Sequence, residues 1–390
     1  MLQTLAISNY RSIRELAIPL DRLNVVTGPN GSGKSSLYRG LRLLAETAQG
    51  QLVGSLAREG GVQSTFWAGP ETISRDVRAR KHPVQGTVRK KPMQLRLGFG
   101  AEDLSYAIDI GYPPNGVFGL DPQIKRECIW SGPVFRRGSL LVDRRGKALL
   151  AITNDGDWSQ IPGEMSDFES MMQAFADPRT APEMIAVRER LRAWRFYDHF
   201  RTDRQSPCRL PQVGTYTPVL ADDGADLAAA LCTIQMIGDR AGLDSAIDDA
   251  FPGSTLQIPS RDGWFEVEMS QHGLLRPLKA AELSDGTLRY LLLVAALLTP
   301  RPPELMVLNE PETSLHPDLI PALARLIAAA AERSQMIVVS HNGRLVELLR
   351  EEAAALIELR KDFGETGLAS DDPDRPALLN GHARWTWPER

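Results

Sequence analysis

The chain has 390 residues, 43% apolar and 24% charged, enough for one large hydrophobic core with an added lobe that folds without disulfides. A net charge of −4 excludes the global basic field of a dedicated nucleic-acid binder, so any DNA contact has to rest on a local patch. Cys128, Cys208 and Cys232 are scattered without CxxC spacing, which suggests neither a zinc site nor a disulfide framework and fits buried thiols in a reducing cytoplasm.

In chain order, MLQTLAISNYRSIRE acquires charge too early for a signal peptide, and no run approaches the ~20 apolar residues of a membrane span, so a cytoplasmic protein without a membrane partner is expected. Residues 2–8 and 15–20 alternate like two strands, LNVVTG (23–28) reads as a buried parallel strand, and a helix follows from Ser35 to about Gln49. From about 60 to 160, short runs such as MQLRLGF, LSYAIDI, KRECIW and SLLVDRR, broken by Gly, Pro and Asn, predict an antiparallel subdomain. Residues 181–200 read as helical, 201–224 as a loop, and 225–250 as two helices, before FPGSTLQIP and WFEVEMS return to strand character. The α/β alternation resumes with LMVLNE (305–310), a helix near 317–333, MIVVSH (336–341) and a helix to about 352. The expected fold class is therefore α/β, with a mixed or parallel sheet core, an antiparallel β subdomain and a helical lobe. The core is split across both ends: 1–60 and 276–370 form the core, 61–180 a β-rich insertion, 181–275 the helical lobe and connecting strands, and 371–390, rich in Asp and Pro, a loosely ordered tail.

Gly28-Pro29-Asn30-Gly31-Ser32-Gly33-Lys34-Ser35 fits G-x-x-x-x-G-K-S between a predicted strand and a predicted helix, the context of a phosphate-binding loop. Glycines let successive backbone N–H groups face the phosphates, the helix N-terminus adds positive potential, Lys34 reaches the β/γ oxygens and the Ser35 hydroxyl ligates Mg²⁺, so ATP and Mg²⁺ are the expected cofactors. A functionless Gly/Ser turn is the bland alternative. The apolar strand ending in Asn309-Glu310-Pro311-Glu312 delivers carboxylates at its C-terminal edge, where open α/β sheets place ligands, and Glu310 is the expected base for the attacking water. An acidic helix cap is the competing reading for Glu312. Leu283-Ser284-Asp285-Gly286-Thr287 opens an apolar helix and could bind a phosphate, although alone it reads better as a plain cap. His341 follows the strand MIVVS, where it could sense the γ-phosphate and hold the water. Ser314-Leu315-His316-Pro317 reads either as a dimer-facing loop or as a simple helix start.

These segments, together with SNYRSIRE, WRFYDHFR and LADDGADLAAAL, resemble the RecF/SMC-like ABC-type ATPases, in particular the stand-alone bacterial ATPases related to RecF and to the ATPase part of OLD-family nucleases. The resemblance implies a P-loop NTPase with an ABC-type head that closes two ATPs between two copies of itself. It implies that Arg11 and Ser12 border the nucleotide, that Asn30, Gly31, Ser32, Gly33, Lys34, Ser35 and Ser36 hold the phosphates, and that Ser284, Asp285, Gly286 and Thr287 reach the partner's ATP. Glu310 would be the catalytic base, His341 the switch histidine and Gln63 the Mg²⁺-contacting glutamine. Asn309 stands where most ABC ATPases carry an aspartate; it can hydrogen-bond a metal-bound water and adds no charge, so turnover is expected to be slow. Neither the coiled-coil arms of SMC proteins nor an OLD-type nuclease module fits between the motifs, so a nuclease would be a separate partner.

Arg75, Arg78, Arg80, Lys81, Arg89, Lys90 and Lys91 form a basic stretch that could track a phosphate backbone or be a solvated loop. A second stretch, Arg188 to Arg204, interleaves arginines with Trp194, Phe196, Tyr197 and Phe200, aromatics that at this spacing read as core. The leading expectation is an ATP-gated dimer acting on DNA or a DNA-processing partner in repair or phage defence. The alternatives are a slow or inactive ATP-binding scaffold and a transporter ATPase.

Overall fold

In the computed structural model, which describes residues 1–70, 93–113, 117–153, 155–174, 180–369 and 385–388, the alternating N-terminal residues form β1 (Leu2–Tyr10) and β2 (Ile13–Pro19), and LNVVT forms β3 (Leu23–Thr27). Further strands are β4 (Leu95–Ala101), β5 (Leu104–Gly111), β6 (Gln123–Ser131), β7 (Leu140–Arg145), β8 (Ala148–Ile152) and β9 (Trp158–Gln160). The chain divides into two units: Met1–Asp21, Gly28–Ala193 and Ile357–Arg390 make one, and Arg22–Thr27 with Trp194–Leu356 make the other.

In the first unit the strands run antiparallel in the order β2-β1-β4-β5-β6-β7-β8-β9. The β-rich stretch is therefore not a separate insertion, because β1 pairs directly with β4, Leu5 opposite Phe99 and Ile7 opposite Leu97. Local alternation announces each strand; only the pairing shows that both groups share one sheet. The Lys34–Ala48 helix packs on this sheet, and Gly40 permits the approach, since a Cβ there would stand 2.7 Å from Ile7 Cδ1. The Pro182–Ala193 helix packs beside it, and Arg192 Nε donates to Ala48 O at 3.1 Å, satisfying a carbonyl at the helix end.

A charged knot lies inside this sheet. Glu127 and Arg144, register partners on β6 and β7 with fully buried side chains, pair at 2.7 Å. Glu127 also accepts from Tyr106 Oη at 2.8 Å, Ser170 Oγ at 2.6 Å and the Met171 N–H at 2.8 Å. Burial, reinforced by the Glu127 charge, pushes the Tyr106 phenol well above its ordinary pKa. The expectation of a loose tail fails over 385–388: Trp385 packs against Trp130 with centroids 5.6 Å apart and the rings tilted by 56°, Trp387 Nε1 donates to Glu15 at 2.7 Å, and Arg126 donates to Pro388 O at 2.8 Å. The two tryptophans supply apolar area that the Asp/Pro composition conceals.

In the second unit four strands run parallel in the order β10 (Arg195–Tyr197), β11 (Leu305–Asn309), β12 (Gln335–Val339) and β3. Near-continuous apolar runs suit strands buried on both faces. The expected helix over 181–200 ends at Ala193, and Arg195–Tyr197 pair instead with Met306–Leu308, ladder bonds and burial overriding the apparent helical period. The helices Leu227–Ile237, Arg240–Ala250, Asp285–Leu297, Ile320–Ala331 and Gly343–Glu351 complete this core, with Leu288 and Leu291 to Val294 at its centre. Among the described residues no helix is long and apolar enough to cross a membrane.

Candidate nucleotide site

In the first unit the loop that follows Thr27 is folded as its glycines require. Gly28, Gly31 and Gly33 have φ of 142°, 78° and 109°, conformations that disfavour other residues. Contacts add a second constraint, since a Cβ would lie 2.2 Å from Leu359 O at Gly28 and 2.2 Å from Thr366 Oγ1 at Gly33. Lys34 is 7% exposed, and its ammonium donates to Gly28 O at 2.6 Å and Pro29 O at 3.1 Å, so the loop wraps its own cation. Ser32 Oγ is buried with no hydrogen-bond partner, while Ser35 at the first turn of the helix is exposed, as are Asn30 and Gly31. An orphaned hydroxyl and a sheltered lysine at the N-terminus of a 15-residue helix fit a bound phosphate chain.

Ser12 and Ser36 adjoin this loop: their hydroxyls lie 3.3 Å apart, and Thr366 Oγ1 donates to Ser12 Oγ at 2.8 Å. Thr366 belongs to a C-terminal hairpin, Ala355–Asp362 with Glu365–Leu368, that sequence patterning did not single out. Arg11, at φ 51°, is tied at 2.8 Å to Glu59 and lies over the Tyr10 ring. Gln63 sits exposed on the one-turn helix Val62–Thr65 and not in a loop.

In the second unit, Asn309 ends β11 and Glu310 follows it, as Ser340 and His341 follow β12, so the two strand ends lie side by side. Glu310 adopts φ 49°, a strained value for a residue with a Cβ, and is pinned there: its N–H donates to Val339 O at 2.8 Å and its carbonyl accepts from Arg289 at 3.2 Å. Its carboxylate lies 3.3 Å from His341 Nδ1. Glu312 is buried and accepts from Ser340 Oγ at 2.6 Å, leaving its second oxygen without a partner. Arg289, 4% exposed, is pushed below its ordinary pKa by burial, against the opposing pull of Glu312, Asp198 and Glu310. Asn309 Nδ2 donates to Asp198 Oδ1 at 2.7 Å. Among the described residues no group of three or more His, Cys, Asp or Glu side chains is arranged to hold a metal ion.

The Asp285–Leu297 helix is capped by Ser284, which accepts from the Thr287 N–H at 3.1 Å. Asp285 pairs at 2.5 Å with Arg209, a guanidinium that also donates to the carbonyls of Ala280, Ala281 and Leu283 and so fixes the loop leading into the helix. Ser284, Gly286 and Thr287 share an open concavity of about 630 Å³ with Ser314, His316 and Phe251, within the roughly 300–1,000 Å³ of small-molecule sites. Asp198, Arg209 and Arg289 were not singled out from the sequence. The basic stretch from Arg75 to Lys91 lies outside the described residues. Trp194, Phe196, Tyr197 and Phe200 are all buried, so they offer no face to a nucleic-acid base.

Residues 1–107 match the family described as "AAA ATPase domain", and residues 161–347 the family described as "AAA domain, putative AbiEii toxin, Type IV TA system". No curated protein matches the chain by sequence. Among solved structures, an Smc head bound to the C-terminal winged-helix domain of ScpA aligns at TM-score 0.51 and 13% identity, over 96% of this chain and 99% of that one. An Smc head with an extended coiled coil, from Pyrococcus furiosus and bound to the C-terminal domain of ScpA, aligns at TM-score 0.50 and 12% identity over 98% and 99%. The fold is thus that of an SMC head. The two AAA matches, each over less than half of the chain, are to ATPase domains, so the chain resembles P-loop ATPases in sequence at both ends and an SMC head in fold.

Proposed function

We propose that the chain binds ATP with Mg²⁺, hydrolyses it, and closes two ATPs between two copies of itself, acting on DNA or on a DNA-processing partner. The observation that carries this reading is the loop of residues 28–34, where an orphaned Ser32 hydroxyl and a sheltered Lys34 sit at a helix N-terminus. Lys34 and the loop N–H groups bind the phosphates, Ser35 holds Mg²⁺, and Arg11, Ser12, Asn30 and Ser36 border the nucleotide. Mg²⁺ supplies charge neutralisation on the phosphates. Glu310, held by its backbone and oriented by His341, accepts the proton of the attacking water. Ser284 to Thr287 present a helix N-terminus to the partner's ATP, and Gln63 approaches the metal.

The match to a domain described as an AbiEii toxin favours phage defence over double-strand break repair as the setting, with a nuclease or other defence protein as partner. The related heads' association with ScpA supports a protein partner in general. A second reading, a slow or inactive ATP-binding scaffold, is favoured by Asn309 alone.

The test is steady-state ATP turnover by wild type and Glu310→Gln, with and without linear duplex DNA. Loss of a general base should slow turnover roughly 10²–10⁴-fold. DNA-stimulated turnover that the variant loses supports the full reading, DNA-indifferent turnover shifts the substrate to a protein, and no turnover in wild type leaves the scaffold.

A further inference from the structure

We propose that Thr366 is a positioning residue of the nucleotide site, the first link of a hydroxyl chain Thr366–Ser12–Ser36 that turns the Ser36 proton toward a phosphate oxygen. The inference rests on the ATP-binding reading above, and all of its residues belong to the first unit. Thr366 is 1% exposed and stands directly on the phosphate loop, where a Cβ at Gly33 would collide with its Oγ1. Its N–H donates to Ser12 O at 2.7 Å, and the adjacent Glu365 pairs with Arg14 at 3.4 Å, so two ties fix this strand of the C-terminal hairpin against residues 12–14.

Each hydroxyl has one proton to donate and two lone pairs with which to accept. Thr366 Oγ1 donates its proton to Ser12 Oγ at 2.8 Å. Ser12 Oγ, already an acceptor, keeps its own proton for Ser36 Oγ at 3.3 Å, the head-to-tail order in which each bond polarises the next. In this order the buried Ser36 hydroxyl accepts from Ser12, and its proton is left for a third group. The place of Ser36 says what that group is. Leu37 N–H closes the first bond of the helix, onto Gly33 O at 3.0 Å, so the amides of Lys34 to Ser36 are the open donors of a 15-residue helix, beside the unpartnered Ser32 hydroxyl. Open donors at a helix N-terminus select an anion. The opposite order, with Ser36 donating to Ser12, would turn an oxygen lone pair toward that anion and repel it. Thr366 therefore sets the polarity of the chain, acting only through Ser12.

The test is Mg²⁺–ATP binding to the full chain by calorimetry, read beside the nucleotide-free melting temperature. Thr366→Val keeps the shape and removes the donor, and is expected to weaken ATP binding about fivefold. Thr366→Ser keeps the donor and removes a buried methyl, so it should lower the melting temperature while holding affinity within about twofold of wild type. Once Ser36→Ala has removed the end of the chain, adding Thr366→Val should weaken binding by less than about twofold more. Losses that multiply in the double variant, or a Thr366→Ser loss as large as that of Thr366→Val, would make Thr366 a packing residue and overturn the proposal while the ATP-binding reading stands. Should Thr366→Val fail to fold, Ser12→Ala decides. It breaks the same chain, so it must weaken ATP binding about fivefold alone and by less than about twofold when added to Ser36→Ala, and any other pattern overturns the proposal. Wild type that binds no ATP overturns the underlying reading, and the proposal with it.

Discussion

Ser32 offers the sharpest separation of stability from function among single residues. A buried hydroxyl with no partner costs on the order of 1–3 kcal/mol in the free protein, and a phosphate oxygen would relieve that cost. Ser32→Ala should therefore melt at the same temperature as wild type or higher without nucleotide, yet gain less on adding Mg²⁺ and ATP. Differential scanning fluorimetry with and without ATP checks both halves, and an equal ATP-induced shift in the two proteins would remove Ser32 from the phosphate site. The loop was legible in the sequence because its pattern is local: eight consecutive residues carry the turn, the cation and the hydroxyl proposed to hold the metal. Asp198 was not legible, because its partner Asn309 stands 111 positions away and only strand pairing brings them together. Arg289 was hidden differently. It lies in a helix of leucines and alanines whose pattern announces a core, and nothing local shows that this charge is buried against Glu310.

Among the elements, the Asp285–Leu297 helix depends on a loop that looks like mere connection. Arg209, 8% exposed, reaches 76 residues along the chain to Asp285 and takes three carbonyls on the way. Hydrogen bonds to charged groups contribute about 1.5–3 kcal/mol each, with strong non-additivity, so Arg209→Ala should destabilise the protein by about 2–4 kcal/mol in urea unfolding. Arg209→Lys should recover little of this, because an ammonium lacks the fork that spans carbonyls and carboxylate together. Wild-type stability in either variant would mean the Arg209 contacts carry no net energy. The parallel strands and their helices matched the sequence reading closely, since continuous apolar runs and 3.6-residue periods are strong signals. β10 and the C-terminal hairpin did not. Three residues of strand carry too little pattern to outweigh the helical context before them, and the charged run RKDFGE of the hairpin reads as surface.

For the whole molecule, the proposed shared site predicts an ATP-dependent change of mass. Glu310→Gln, unable to activate water, should accumulate as a dimer with ATP in size exclusion coupled to light scattering. Ser284→Arg should stay monomeric, because it places a bulky side chain where Ser284 accepts from the Thr287 N–H and lines the open concavity. Monomers for both variants at saturating ATP would rule out the shared site. Dimers for both would show that Ser284 to Thr287 do not face the partner's nucleotide.

The knot of Glu127 and Arg144 bears on folding fidelity. A slip of one or two residues between β6 and β7 would set Glu127 opposite Arg145, Asp143, Gly146 or Val142 and leave two fully buried charges apart, a fault of about 3–5 kcal/mol. Shape alone would penalise the slip far less, because apolar side chains in a broad sheet can repack. Replacing both charges with methionine and leucine, with Tyr106→Phe and Ser170→Ala so that neither hydroxyl loses its acceptor, should thus leave equilibrium stability close to wild type, while refolding yields a mixture of strand alignments visible as heterogeneous amide exchange over 123–145. The charged pair would then act as a proofreader of alignment, with its main effect exerted on the misfolded competitors and little on the native state.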